Sequence, residues 1–187
     1  MSEKSKSEES KIELTTDQQE MLMREALAEA ERGMAEGEAP IGCVLATGSG
    51  PGLHIVARGH NRVNALGRKT AHAEMVAFES AGSQNGQPPA LPLGAEDVTL
   101  VSTLEPCVMC LGAAMEVGVA RVLFGLEAPA DNGTTRVKPP ESPESRAPEV
   151  TGGLLPAESR ALFEKWLEGK QGTEQAKFVE QLLALTE

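Results

Sequence analysis

Two short stretches of this chain, Thr70-Ala71-His72-Ala73-Glu74 and Leu104-Glu105-Pro106-Cys107-Val108-Met109-Cys110, carry one imidazole, two thiols and a carboxylate at defined spacings. A fold that uses them must return both stretches to one point. Zinc takes nitrogen and sulfur ligands tetrahedrally, and a catalytic centre uses three protein ligands and keeps the fourth position for water. His72, Cys107 and Cys110 make three, which predicts one zinc ion per chain. Glu74 is then surplus to coordination and free to move protons.

The spacing also constrains the elements that carry these groups. Cys107 and Cys110, at i and i+3, share one helix face, and the exposed N–H groups of a helix N-terminus favour their thiolate forms. His72 and Glu74, at i and i+2, point about 200° apart inside a helix of ~3.6 residues per turn. They share a site only if His72 stands at the start of its helix and both helix N-termini face one cavity. A Cys-x-x-Cys alone fits a redox pair or half of a structural zinc site equally well. The proline before the pair, the His-x-Glu group, and the placing of each group after a strand and at the opening of a helix select catalytic zinc.

The rest of the chain reads as alternating elements. Residues 1–14 are assigned to a polar, disordered tail, since their stretch to Ile12 is too poor in apolar surface to offset ordering entropy. Thr16 with Gln19 predicts a capping box, followed by an amphipathic helix to about Gly33. Residues 41–46 and 53–57 read as a hairpin around a Gly/Pro/Ser turn. A helix over 72–81, a strand over 98–102, a helix over 107–117 with Pro106 in its first turn, and a strand over 119–124 follow. Residues 128–153, rich in proline and glycine without a sustained period, are expected to form a long surface loop. Two terminal helices are expected over 156–167 and 173–185, their aromatics serving as core or dimer contacts. This alternation implies helices on both faces of a mixed sheet.

The chain has 187 residues, which fits one domain over 15–187. Aromatics are only 3% and tyrosine is absent, so aliphatic and Met side chains must do the packing. No stretch approaches the ~20 apolar residues needed to span a bilayer, so the expectation is a cytoplasmic protein. Cys43, in an apolar run, reads as a buried strand residue, and His54 and His60 as surface or strand residues without a ligand role. Net charge is −11, which opposes broad attraction to a polyphosphate backbone. Against that trend, Arg58, Arg62, Arg68 and Lys69 cluster before His72, either as an anion-attracting rim or as an ordinary solvated basic loop.

His-x-Glu with Pro-Cys-x-x-Cys is the known signature of zinc deaminases acting on nucleobases. With Gly37-Glu38-Ala39-Pro40-Ile41-Gly42, Gly59-His60-Asn61-Arg62 and Thr103 to Cys110, residues from about 20 to 126 resemble the cytidine/deoxycytidylate deaminase superfamily. The branch resembled holds tRNA adenosine deaminases, cytosine deaminases and guanine deaminases. The resemblance implies a three-layer α/β/α sandwich with a mixed five-stranded central sheet, a zinc-dependent hydrolytic deaminase, and a homodimer. It also implies that Asn61 holds the base and that the Glu105 backbone lies near the leaving amine.

The expected function is therefore hydrolytic removal of an exocyclic amine from a small nucleobase or nucleoside. Glu74 is the proton shuttle and His72, Cys107 and Cys110 hold Zn2+, which acidifies water toward neutrality. Two rivals stand beside it: deamination of adenosine in tRNA, and a non-catalytic, zinc-stabilised binding module. The tRNA reading is disfavoured by the acidic balance and by Arg68-Lys69, where tRNA enzymes typically carry Asp-Pro before the Thr-Ala-His-Ala-Glu stretch.

Overall fold

In the computed structural model of the chain, which describes residues 13–82, 91, 97–143, 145–174 and 176–186, helix α1 runs over Thr16–Ala35. Its capping box lies one residue earlier than the sequence suggests. Thr15 is the N-cap, its hydroxyl accepting from the Gln18 N–H while the Gln18 side chain accepts from the Thr15 N–H. Both Thr15-x-x-Gln18 and Thr16-x-x-Gln19 fit the pattern. The choice falls on the first because Gln19 instead donates to the Leu14 carbonyl. Leu14, assigned to the tail from sequence, is buried against α1 and the sheet. Glu13 is exposed, and residues 1–12 of the expected tail lie outside the described residues.

Strand β1 (Gly42–Thr47) turns through a short 3-10 stretch at Gly50–Gly52 into antiparallel β2 (His54–His60), as the turn composition predicts. A short helix α2 (Val63–Leu66), not anticipated, precedes α3 (Ala73–Ala81). Then come β3 (Val98–Leu104), α4 (Val108–Val117) and β4 (Arg121–Leu126). Pro106 stands before the Cys107 N-cap and not inside the first turn. The 128–153 segment is not loop throughout, because Glu149–Thr151 forms β5, parallel to β4. Three exposed residues carry too little pattern to read as a strand, and the edge of the sheet supplies their backbone partners. Helices α5 (Pro156–Leu167) and α6 (Lys177–Leu185) close the chain, α6 beginning four residues later than expected.

The five strands are ordered β2-β1-β3-β4-β5, with β1 antiparallel to both neighbours and β3, β4 and β5 parallel. Side chains alternate across β1. Cys43 and Leu45 meet Ala73, Ala77, Leu111 and Met115 of α3 and α4 on one face. Val44 and Ala46 meet Leu22, Met23 and Ala26 of α1 on the other. Phe163 and Trp166 of α5 pack with Val179 and Leu182 of α6 around the ends of β3 and β4. Cys43 is fully buried in the strand, as expected.

Two glycines let the helices approach the sheet. A Cβ at Gly42 would sit 2.1 Å from the Ala26 carbonyl oxygen, and one at Gly59 would sit 2.4 Å from the Ala73 oxygen and 2.5 Å from the Ala77 nitrogen. Backbone-to-backbone contact at Gly59 draws the start of α3 onto β2. Because β1 is antiparallel to both β2 and β3, the strands β2, β3 and β4 end at the same edge of the sheet. Ligands bind in such sheets beyond the carboxyl ends of the strands.

Candidate metal centre and active site

Three connections leave that edge. Asn61 follows β2, Glu105 to Cys107 follow β3, and Ala128 to Asp131 follow β4, and all three segments contribute to one cavity of about 180 Å³. Both helix N-termini open into it, as the spacing of the motifs requires. His72 is the N-cap of α3 with extended backbone (φ −70°, ψ 157°), and Cys107 is the N-cap of α4 (φ −69°, ψ 174°). Standing off the helix end, His72 and the following Glu74 escape the divergence of the helix interior and line the same cavity.

The donor set fits a tetrahedral ion. The Cys107 and Cys110 Sγ atoms are 3.6 Å apart, and each lies 3.6 Å from His72 Nδ1. Zinc–sulfur bonds of about 2.3 Å and zinc–nitrogen bonds of about 2.0–2.1 Å at tetrahedral angles require roughly 3.8 Å between sulfurs and roughly 3.6 Å from sulfur to nitrogen. These three are the one group of this kind among the described residues. Two thiolates and a neutral imidazole balance the dication, and the centre takes zinc. Contact with Cys110, opposed by burial and assisted by His72, lowers the Cys107 thiol to about 4, while the same contact and burial push Cys110 up. Metal binding requires both sulfurs as thiolates, so a bound cation displaces their protons.

Glu74 is 3% exposed and accepts a hydrogen bond from the Ser102 hydroxyl at 3.3 Å. Burial pushes its carboxyl above the usual range, against the pull of its own backbone N–H and of His72. A carboxylate placed beside a metal triad, outside the ligand set and inclined to hold a proton, is suited to proton transfer near neutral pH.

Asn61 is placed more firmly than the sequence suggests. The Ala73 N–H donates to its Oδ1 at 3.0 Å, so Asn61 supplies the capping bond that the His72 side chain does not make. That bond fixes the amide orientation and leaves Nδ2 as the donor. The Glu105 carboxylate, by contrast, is engaged with the chain itself. Ala128 N–H donates to Oε2 at 2.9 Å and the Thr134 hydroxyl to Oε1, which ties the loop after β4 to the end of β3. The loop is further held by Gly133 N–H donating to the Pro106 carbonyl at 2.8 Å and by a bridge between Cys107 and Asn132.

Sequence reasoning missed Asp131 and Phe178, which complete the wall from the loop and from α6. Neither belongs to a motif, and only the packing of α5 and α6 against the strand ends brings Phe178 to the site. The basic cluster does not reach the wall. Arg58 pairs with Glu25 at 2.9 Å and Arg68 with Glu79 at 2.8 Å, and neither Arg62 nor Lys69 lines the cavity. His54 bonds Thr47 and the Gly52 carbonyl, and His60 sits between Glu29 and Glu36, so neither is a ligand.

Three ligands, an adjoining cavity and a buried non-ligating acid define a mononuclear zinc hydrolase of the α/β/α type. The chain belongs to the family described as the cytidine and deoxycytidylate deaminase zinc-binding region, which matches residues 16–126. It is accordingly a hydrolytic, zinc-dependent deaminase. The chain is 31% identical over 169 residues to a tRNA-specific adenosine deaminase of Streptococcus pyogenes serotype M3, covering 89% of this chain and 92% of that one. It is 36% identical over 143 residues to the tRNA-specific adenosine deaminase of Bacillus subtilis strain 168, covering 75% and 83%. Among solved structures, the guanine deaminase of Nitrosomonas europaea superposes with TM-score 0.59 at 25% identity, covering 79% of this chain and 83% of that one. A chain from work on A-to-I editing by tRNA:A34 deaminases gives TM-score 0.58 at 28% identity, covering 76% and 98%. No helix among the described residues is long and apolar enough to cross a membrane.

Proposed function

We propose that residues 15–187 act as one catalytic domain that removes the exocyclic amine of a small nucleobase or nucleoside and releases ammonia. The observation that carries this reading is the cavity itself: His72, Cys107, Glu74 and Asn61 line one small space together with Phe178, with no Lys or Arg among the described residues of its wall. Zinc, when bound, supplies a water acidified toward neutral pH. With zinc held by His72, Cys107 and Cys110, Glu74 would take a proton from the attacking water and pass it to the ring nitrogen beside the amine-bearing carbon. It would then take the proton of the newly added hydroxyl and hand it to the leaving amine as the C–N bond breaks, so that a carbonyl forms and ammonia departs. Asn61 Nδ2 donates to an acceptor on the base, while Asn61 Oδ1 holds the start of α3. Glu105 acts through the loop it tethers, and its backbone flanks the cavity. Val108 and Val117, exposed on α4, suit burial in a homodimer, with solution mass as the check.

A panel of cytosine, cytidine, guanine, guanosine, adenine and adenosine, assayed for ammonia with zinc-loaded protein, tests the reading. Turnover of at least one, abolished in Glu74→Ala with zinc retained, is the expected result. The names of the relatives favour a second reading, deamination of adenosine in tRNA. Turnover confined to an anticodon stem-loop, with steep salt dependence, would establish it in place of the first.

A further inference from the structure

The family match ends at residue 126, but the cavity wall does not. Asp131 comes from the loop after β4 and Phe178 from α6. The metal core is thus shared with the family, while the mouth is built by chain outside the matched region.

The polar groups of the cavity are mostly spoken for. Both Glu105 oxygens are engaged by Ala128 N–H and the Thr134 hydroxyl, and Asn61 Oδ1 by Ala73 N–H. Among the described residues, no hydrogen bond or ion pair engages the Asp131 side chain, which is exposed at the mouth. The nearby Arg136 guanidinium instead donates to the Ala130 carbonyl at 2.9 Å and the Pro129 carbonyl at 3.1 Å. Among the described residues the wall contains no Lys or Arg, and the two thiolates cancel the charge of a bound dication. Arg136, whose charge acts on Asp131 from outside the wall, is the nearest cation, but a phosphate entering the cavity itself meets a carboxylate, the apolar Phe178 and a chain of net charge −11.

We propose that Asp131, which shares the cavity wall with Phe178, is a specificity determinant that admits an uncharged nucleobase or nucleoside and rejects the 5′-phosphorylated form. This rests on the deaminase reading above and narrows it. Asp131 acts by repulsion at the mouth and Phe178 by covering the apolar face of whatever enters. The charge effect therefore discriminates between ligands, while the Phe178 effect is shared by all of them.

The experiment compares kcat/KM for cytidine, adenosine and guanosine, each against its own 5′-monophosphate, in zinc-loaded full-length protein. Base and sugar are the same within a pair, so the ratio isolates the phosphate. The wild type is expected to favour the nucleoside by about tenfold or more at low salt, with the preference shrinking as ionic strength rises. Asp131→Asn should narrow the ratio and Asp131→Lys should erase or invert it. Phe178→Ala should raise KM for both members of a pair and leave the ratio in place. Where only a free base turns over, the same ratio is read from the inhibition constants of nucleoside and monophosphate. Thermal midpoints confirm that each variant is folded, and Asp131→Asn serves if Asp131→Lys is not. Equal or better use of the monophosphate by the wild type overturns the proposal while leaving the deaminase reading intact. So does an unchanged ratio in both Asp131 variants. Ammonia from none of the bases, nucleosides or nucleotides overturns both.

Discussion

The hydrogen bond from Ala73 N–H to Asn61 Oδ1 predicts that one substitution will disturb stability, metal binding and turnover together, and that a second will separate them. Ala73 is fully buried and Asn61 is 7% exposed, so Asn61→Ala strands a buried donor at the first turn of α3. Loss of one partner of a buried hydrogen bond costs about 1–3 kcal/mol. Treated as a lost N-cap, the cost is roughly 0.5–2 kcal/mol. The two routes agree near 1.5 kcal/mol, and His72 immediately precedes Ala73, so part of that loss falls on the ligand. Removing a group that orients a metal ligand typically weakens affinity by about 10–100-fold. Asn61→Asp keeps the acceptor and adds a negative charge at a helix N-terminus, but removes the Nδ2 donor and sets a second carboxylate into the cavity beside Glu74. The expected pattern is that Asn61→Ala loses stability, zinc affinity and activity, whereas Asn61→Asp keeps the first two and loses turnover. Denaturant titration of metal-free protein, zinc competition against a chromophoric chelator and steady-state kinetics read the three quantities. Wild-type zinc affinity and stability in Asn61→Ala would refute the coupling of Asn61 to the metal site.

Gly59→Ala forces a methyl group into the Ala73 carbonyl and Ala77 nitrogen, both rigid backbone, and should destabilise by about 1–3 kcal/mol in denaturant while lowering zinc occupancy. Removing zinc with a chelator unties the starts of α3 and α4. At free zinc about 100 times the dissociation constant the loss is roughly 2.7 kcal/mol, or about 5–10 °C in the thermal midpoint of a chain this size. In metal-free protein, burial raises the folded-state carboxyl of Glu74 above its unfolded value of about 4.3. Its contribution to stability is thus fully present below that value and is lost as pH rises through the folded one. Glu74→Gln should therefore unfold at a higher temperature than the wild type at pH 8, with the gap closing toward pH 4, and a gap independent of pH would contradict the burial argument.

What the sequence made legible follows from which interactions are local. The ligand triad could be read because zinc dictates both residue type and spacing, and because His72 and Glu74 satisfy one site only from a helix start. The hairpin could be read because residues 47–52 can do little but turn, and α5 because Pro156 and an apolar face bound it. The failures share one cause, which is that tertiary contact decides among locally equivalent choices. Thr15 and Thr16 offer the same cap, and the bond from Gln19 to the Leu14 carbonyl selects the first. Glu149–Thr151 has no strand pattern of its own and is ordered by the edge of β4. Glu105 lines the cavity, but the tether its carboxylate makes could not be read, because its partners Ala128 and Thr134 lie 23 and 29 residues away. Asp131 and Phe178 are the extreme case. A metal centre imposes strict spacing on its ligands, whereas a cavity mouth needs only charge and bulk at the right place, which any loop or helix reaching the strand ends can provide. The part of the wall contributed after residue 126 accordingly lies where motifs are weakest, and the specificity proposed for Asp131 would be written there.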